Sequence, residues 1–162
     1  MEILPAELDD LSSILEIYNQ GIVDRIATLE ENLKNMQYMT EWFTNRAGRY
    51  AVIVAKEQDE VVGWCSINPY NQRCAYAGVG DPSIYVRRDM RGKGVGRKLM
   101  LRIIEIAKEN GFRKLVLATL VNNPIAHALY RSIGFRDVGV FVKQGILDGK
   151  FVDVLIMEIL FE

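Results

Sequence analysis

The spacing of apolar positions changes repeatedly along the chain, and each change marks an element. Glu2-Ile3-Leu4-Pro5 predicts a short first strand. Leu11, Ile14, Leu15 and Tyr18 then recur at helical intervals, behind an Asp9 or Asp10 able to cap the helix. Residues 22–35 carry no period, and Met39, Trp42 and Phe43 place a second helix over Met36 to Arg46. Two β-branched runs, Tyr50 to Lys56 and Val61 to Asn68, flank the polar turn Glu57-Gln58-Asp59-Glu60 and predict an antiparallel hairpin. A further strand is predicted from about Ala75, broken near Gly78 to Pro82, and on through Ile84-Tyr85-Val86. A helix from about Gly94 to Asn110 buries Leu99, Ile103, Ile106 and Ala107 and ends at Gly111. Lys114 to Thr119 predicts a strand, Pro124 to Ile133 a helix ended by Gly134, and Asp148-Gly149 the turn of a terminal hairpin. Strands first, one helical crossover in the middle and a hairpin last describe an α+β fold. Its central sheet is mixed and mostly antiparallel, with helices on both faces, and it is not doubly wound. No repeat or Pro/Ser-rich linker interrupts the pattern, so residues 1–162 are expected to form a single domain.

Composition narrows the function. At 162 residues and 49% hydrophobic content the chain has material for a sizeable core. A net charge of −1 gives no electrostatic reason to expect nucleic acid or an anionic membrane as partner. No apolar run reaches the roughly 18 residues of a membrane span, and the first residues lack a signal-peptide core. Cys65 and Cys74 form no C-x-x-C pair and are expected to stay reduced, as in a cytoplasmic protein. His127 is the only histidine, so a zinc site or a histidine-based triad has little to draw on, and no metal is expected.

Against this near-neutral background one segment stands apart. Arg87, Arg88, Arg91, Lys93, Arg97 and Lys98 cluster between the Ile84-Tyr85-Val86 strand and the helix after it, with Gly92, Gly94 and Gly96 interspersed. Glycines that tolerate positive φ, free backbone N–H groups and a helix N-terminus are the parts that hold a pyrophosphate. The spacing excludes a P-loop, because no Ser or Thr follows a Gly-Lys pair. It also excludes the dinucleotide fingerprint, because Leu99 stands where the third Gly or Ala belongs.

What remains is Arg91-x-x-Gly94-x-Gly96, which resembles the acyl-CoA loop of the GNAT N-acetyltransferase superfamily. Four segments in order resemble its phosphinothricin/methionine sulfoximine acetyltransferase-like branch, across nearly the whole chain. They are Pro69-Tyr70-Asn71-Gln72-Arg73-Cys74-Ala75-Tyr76; Ser83 to Val86 with the glycine loop; Asn123-x-x-Ala126-x-x-Leu129-Tyr130-x-x-x-Gly134-Phe135; and Gly149 to Val154, where the branch usually has Trp in place of Phe151. The resemblance implies the GNAT acyl-CoA N-acyltransferase fold, acetyl-CoA as co-substrate, and transfer by direct attack of an amine, with catalysis resting on positioning, oxyanion stabilisation and proton transfer.

Carried over residue by residue, the resemblance gives Tyr85, Val86 and Arg88 a backbone role toward the thioester and pantetheine arm, with the Val86 N–H as oxyanion donor. Arg91 and the amides of Gly92, Lys93, Gly94, Val95, Gly96 and Arg97 would hold the pyrophosphate. Asn123 would reach the pantetheine or phosphate region; an N-cap ahead of Pro124 is its ordinary role. Tyr130 would protonate the departing thiolate, although the branch often has His there; packing is the ordinary fate of a helical Tyr. The branch has a Glu as general base where this chain has Asp81, one methylene shorter and therefore expected to act through a water. An Asp-Pro pair is also a common turn former. Arg73 would bind the substrate carboxylate as a bidentate guanidinium, with Tyr76 and Glu30 shaping the pocket; alternatively Arg73 is a surface residue whose stem covers apolar area. Asp153 and the Pro69–Tyr76 segment favour a small amino-acid-like substrate. Alternatives are a protein N-terminal acetyltransferase and a non-catalytic acyl-CoA binding domain. The apolar terminal hairpin, and the habit of the branch, imply a homodimer.

Overall fold

A computed structural model describes residues 1–162. Seven strands form one sheet in the order β1-β2-β3-β4-β5-β7-β6. They are β1 (Glu2–Pro5), β2 (Val52–Glu57), β3 (Glu60–Pro69), β4 (Val79–Val86), β5 (Lys114–Leu120), β6 (Arg136–Leu147) and β7 (Lys150–Leu160). The helices are α1 (Leu11–Asp24), α2 (Met36–Thr44), α3 (Val95–Glu109) and α4 (Pro124–Ile133). Every neighbouring strand pair is antiparallel except β4–β5. This is the expected α+β architecture.

Strand alternation builds a core on each face. Ile53, Ala55, Val62, Cys65 and Ile67 pack with Val95, Leu99, Met100, Ile103 and Ala107 of α3. Their sequence neighbours Val52, Val54, Val61 and Trp64 turn the other way, against Leu11, Ile14 and Ile17 of α1 and Met39 of α2. Each fully buried aliphatic side chain contributes about 1.5–3 kcal/mol, so both faces hold the sheet firmly. Two-residue turns with positive φ, Gln58-Asp59 and Asp148-Gly149, close the two long hairpins.

Several boundaries differ from the sequence expectation. α1 continues to Asp24, because Gly21 lets the helix lie against the Tyr85 ring; a Cβ there would stand 2.8 Å from a ring carbon. Asp10 is the N-cap residue of α1, but its side chain makes no capping hydrogen bond there. The Asp10 carboxylate instead accepts from the Glu7 N–H (2.9 Å), closing the single turn Leu8–Asp10, and pairs with Lys56 (2.9 Å). The segment at Ala75 is no strand; Cys74–Tyr76 forms one 3-10 turn. The break expected at Gly78 to Pro82 is absent, and β4 runs straight through Asp81-Pro82. The reason lies in its neighbour. β4 and β5 pair only at Val79↔Lys114 and Gly80↔Leu115 and then separate, so the proline stands where one flank of the strand has no partner to lose.

Candidate active site

The separation of β4 from β5 opens a cavity of about 270 Å³. Asp81, Ser83 and Tyr85 line it from β4, Leu117 and Thr119 from β5, Tyr130 from α4, and Ala27 to Leu29 from the irregular segment after α1. Ladder alternation determines which backbone groups face the gap. The Arg87 N–H donates to Val62 O (2.9 Å), so the adjacent Gly63↔Val86 pair is the non-hydrogen-bonded kind. The Val86 N–H therefore points away from β3, toward the side that β5 has left. Its carbonyl accepts from Arg91 Nε (3.2 Å). By the same alternation the ring nitrogen of Pro82 faces the gap, where no N–H is required.

Three side chains in the gap have proton affinities set by burial. Desolvation pushes the Asp81 carboxyl up to about 6, close to the value a general base needs near neutral pH. Burial also pushes Tyr130 well above the ordinary phenol range, so it keeps its proton and can donate it. Tyr85 is pushed up to about 12, mainly by burial; its ring stacks against both Tyr18 and Trp64, with centroids 5.0 Å from each, and those two rings also touch each other.

At the end of β4 the glycine loop takes the predicted form. Gly92 and Gly94 have φ of 75° and 84°, and no atom lies within 4 Å of where their Cβ atoms would be. Gly94 is the N-cap of α3, so the N–H groups of Val95, Gly96 and Arg97 have no acceptor in the helix. Open space bordered by free amides at a helix N-terminus fits a diphosphate; a side chain at either glycine would fill it. The cationic side chains of the loop make protein contacts of their own. Arg88 (2.7 Å) and Arg91 (2.6 Å) both converge on Asp24 at the end of α1, and the Arg88 N–H donates to Gln20 Oε1 (2.9 Å). The Arg88 hydrogen bond, and then Arg91, hold the Asp24 carboxyl below its ordinary range. Arg97 reaches Ser132 Oγ (2.9 Å), and Lys93 lies near the Met90 sulfur.

The remaining predicted residues lie around this centre. Asn123 Oδ1 accepts from the Ala126 N–H (3.3 Å), the N-cap role, while its Nδ2 donates to Ile26 O (3.1 Å) and ties the segment after α1 to α4. Arg73 is exposed in the β3–β4 connection and does not line the cavity; nor does Tyr76, whose ring packs edge-on to Tyr70. Glu30 pairs with Lys34 (3.1 Å), and its neighbours Thr28 and Leu29 form the wall instead. Asp153 serves the hairpin, accepting from the Lys143 N–H (2.7 Å) at an irregularity of β6. Sequence reasoning gave no role to Ser83 or Thr119. For Ser83 the signal was available, because Asp81, Ser83 and Tyr85 share one strand face.

A splayed parallel strand pair with an amide cradle at its end defines an acyl-CoA-dependent N-acyltransferase. Comparison with known proteins agrees. Residues 13–135 match the model of the acetyltransferase (GNAT) family. The chain is 31% identical to an L-methionine sulfoximine/L-methionine sulfone acetyltransferase of Pseudomonas aeruginosa, over 95% of this chain and 91% of that one. Its fold superposes on ribosomal-protein-alanine N-acetyltransferase from Brucella melitensis with TM-score 0.96, at 31% identity and covering 99% and 100% of the two chains. The phosphinothricin acetyltransferase of Sinorhizobium meliloti, solved in complex with acetyl-CoA, gives TM-score 0.93 at 29% identity, covering 98% and 87%. The chain belongs to the GNAT acetyltransferase family. It is an acetyl-CoA-dependent N-acetyltransferase.

Proposed function

We propose that this enzyme acetylates the primary amine of a small amino-acid-like substrate of the phosphinothricin or methionine sulfoximine type, by direct attack on the thioester. One observation carries the reading: the unpaired Val86 N–H, the Asp81 carboxyl and the Tyr130 hydroxyl all face the gap that begins at Gly80. Bound acetyl-CoA supplies an acyl carbon activated as a thioester. The amides of Gly92 to Arg97 hold the diphosphate, and the α3 dipole adds about 0.3–1 kcal/mol to that grip. The Val86 N–H meets the acyl oxygen, where negative charge develops. Asp81 takes one proton of the incoming ammonium; when the C–N bond has formed and the C–S bond breaks, Tyr130 gives its proton to the departing sulfur and the second proton of the nitrogen restores the Tyr130 hydroxyl. Asn123 acts in this scheme by holding the cavity wall against α4. Arg73 is exposed and in no ion pair, and its guanidinium is proposed to clamp the substrate carboxylate, with Tyr76 and Glu30 proposed to help shape the substrate site.

A cavity of about 270 Å³ suits a free amino acid. The relatives named above point the same way by their substrates, except the Brucella enzyme, whose name supports protein N-termini as a second reading. Thiol release with L-methionine sulfoximine, phosphinothricin and alanine-terminated peptides separates the two. Faster turnover of peptides would overturn the small-molecule assignment, and acetyl-CoA binding without turnover of any amine would indicate a binding domain. Val140, Phe141 and Phe151 are half or more exposed along the terminal hairpin, which supports the proposed homodimer. No helix is long and apolar enough to cross a membrane. We propose a cytoplasmic location on the two free thiols, Cys65 and Cys74.

A further inference from the structure

Asn68 stands opposite Asp81 in the β3–β4 ladder and is the centre of a hydrogen-bond chain that ends in the cavity. Its Nδ2 donates to Asp81 O (3.0 Å) and to Ser83 Oγ (2.9 Å). Its Oδ1 accepts from Arg46 Nη2 (3.0 Å) and Ser66 Oγ (3.2 Å). Arg46 can only donate, so the orientation of the Asn68 amide is dictated rather than free to flip. Arg46 is itself fixed: Nε donates to Tyr50 O (2.9 Å), Nη2 to Ile67 O (2.6 Å), and the guanidinium lies 4.5 Å from the centre of the Trp42 ring. No carboxylate pairs with it. Its charge is therefore answered by dipoles, one of which, the Asn68 amide, leads on to β4.

The consequence falls on Ser83. Its oxygen is already accepting from Asn68, and no protein acceptor is in reach of its proton. Ser83 lines the cavity, so the proton is left to donate there. Asp81 lies two residues earlier on the same strand face, about 6.8 Å away along the strand. The two short side chains do not hydrogen-bond to each other, and a spacing of this size is one that a single bridging water fits. We propose that Ser83 is a positioning residue: its hydroxyl, oriented by Asn68, holds the water that carries the proton from the incoming ammonium to Asp81. The ammonium gives a proton to the water, and the water gives one to the carboxylate. The net change is ammonium to amine and carboxylate to carboxylic acid, with the water unchanged. A cation at the start of the chain polarises each successive donor, strengthening the Ser83 O–H as a donor. The proposal rests on the reading of Asp81 as base. It also accounts for the shorter acid working here: a bound water replaces the missing methylene.

The test is kinetic, with L-methionine sulfoximine and acetyl-CoA. Ser83→Ala should lower kcat about 10–100-fold while the KM for acetyl-CoA stays within about twofold, the range of losing one element of proton transfer. Asp81→Glu extends the carboxylate, so in that background Ser83→Ala should cost less than about threefold. Equal losses in both backgrounds, or no loss in either, would overturn the proposal. Asp81→Asn separates the two levels of failure. If it is inactive while Ser83→Ala retains full activity, only the water anchor falls; if Asp81→Asn retains full activity, the base assignment falls with it. A crystal structure of the unaltered chain provides a check that no variant can confound. It should show an ordered water within about 3.2 Å of both Ser83 Oγ and an Asp81 carboxylate oxygen, and a direct Asp81–Ser83 bond in its place refutes the proposal.

Discussion

Replacing Asp81 by Asn should make the protein more stable and less active, both chiefly above about pH 6, where the carboxylate is ionised. Burial raises the Asp81 carboxyl from its ordinary 3.8 to about 6. In the folded state about nine in ten Asp81 side chains are ionised at pH 7 and about one in ten at pH 5. If the carboxylate accepts the proton, kcat/KM should fall about tenfold between those values. An unperturbed aspartate would lose under about a tenth of its activity over the same range. The ratio of wild-type to Asp81→Asn rates, taken at each pH, cancels the ionisation of the amine substrate and should inflect near pH 6. Stability moves the other way. The folded state holds its proton more tightly than the unfolded chain, so between about pH 4 and 6 stability decreases as pH rises, and above 6 the penalty is complete. A shift from 3.8 to about 6 corresponds to about 3 kcal/mol, a ceiling for a partly buried group, so Asn is expected to recover about 1–3 kcal/mol at pH 7. Urea unfolding at pH 7 and pH 4 measures this, with the gain confined to pH 7. A rate ratio flat from pH 7 to 5, or an Asn variant no more stable than wild type, would refute the assignment of Asp81 as a desolvated base.

The other sites give sharper separations of binding from chemistry. Gly94→Leu places a side chain at φ +84° in the open cradle and should raise the KM for acetyl-CoA at least tenfold, read by initial rates or calorimetry. Tyr130→Phe removes the cavity hydroxyl and keeps the ring against Phe135, so kcat should fall about 10–100-fold with little change in either KM, measured by thiol release. Arg73→Lys should raise the KM for the amino-acid substrate several-fold and leave that for acetyl-CoA unchanged, because an ammonium cannot replace the paired guanidinium contact.

How far these residues were legible in the sequence depends on whether local rules or sheet partners set them. α4 fell at its predicted ends because Asn123, Pro124 and Gly134 each carry a local instruction: cap, first turn, stop. The glycine loop was equally readable, since positive φ and a helix start are local properties. The path of β4 was not. Pro82 is a strand breaker by propensity, and only the early departure of β5 makes it acceptable there. The roles of the loop arginines were also hidden. A sequence shows Arg88 and Arg91 beside the glycines, but not that Asp24, more than sixty residues earlier, ends α1 within reach of both. Arg73 was assigned from its motif, and local reasoning could not tell that the β3–β4 connection holds it outside the cavity lining. Ser83 is the opposite case: its place on one strand face with Asp81 and Tyr85 is legible in the sequence, but a lone serine carries no motif that marks a role.

The same departure of β5 explains why the site can exist in an otherwise saturated sheet. A strand interior normally has its N–H groups paired on both sides or turned to solvent, and an unpaired buried one is costly. Here β5 leaves β4 after two pairs while its other edge keeps a full-length antiparallel partner in β7, from Lys114↔Leu160 to Leu120↔Val154, so only the edges of β4 and β5 that face the gap lose partners. On β4 the sequence limits that cost: Pro82 has no N–H to leave unpaired, and the Val86 carbonyl is taken by Arg91. The Val86 N–H is left facing the gap, beside a helix start whose own amides have no acceptor. On the other face β4 is held by β3 along its whole length and by the stack of Tyr85 with Trp64 and Tyr18. Rigidity on one side of the strand thus keeps the donors on the other fixed before any ligand arrives, so no reorganisation energy is spent when charge develops on the acyl oxygen.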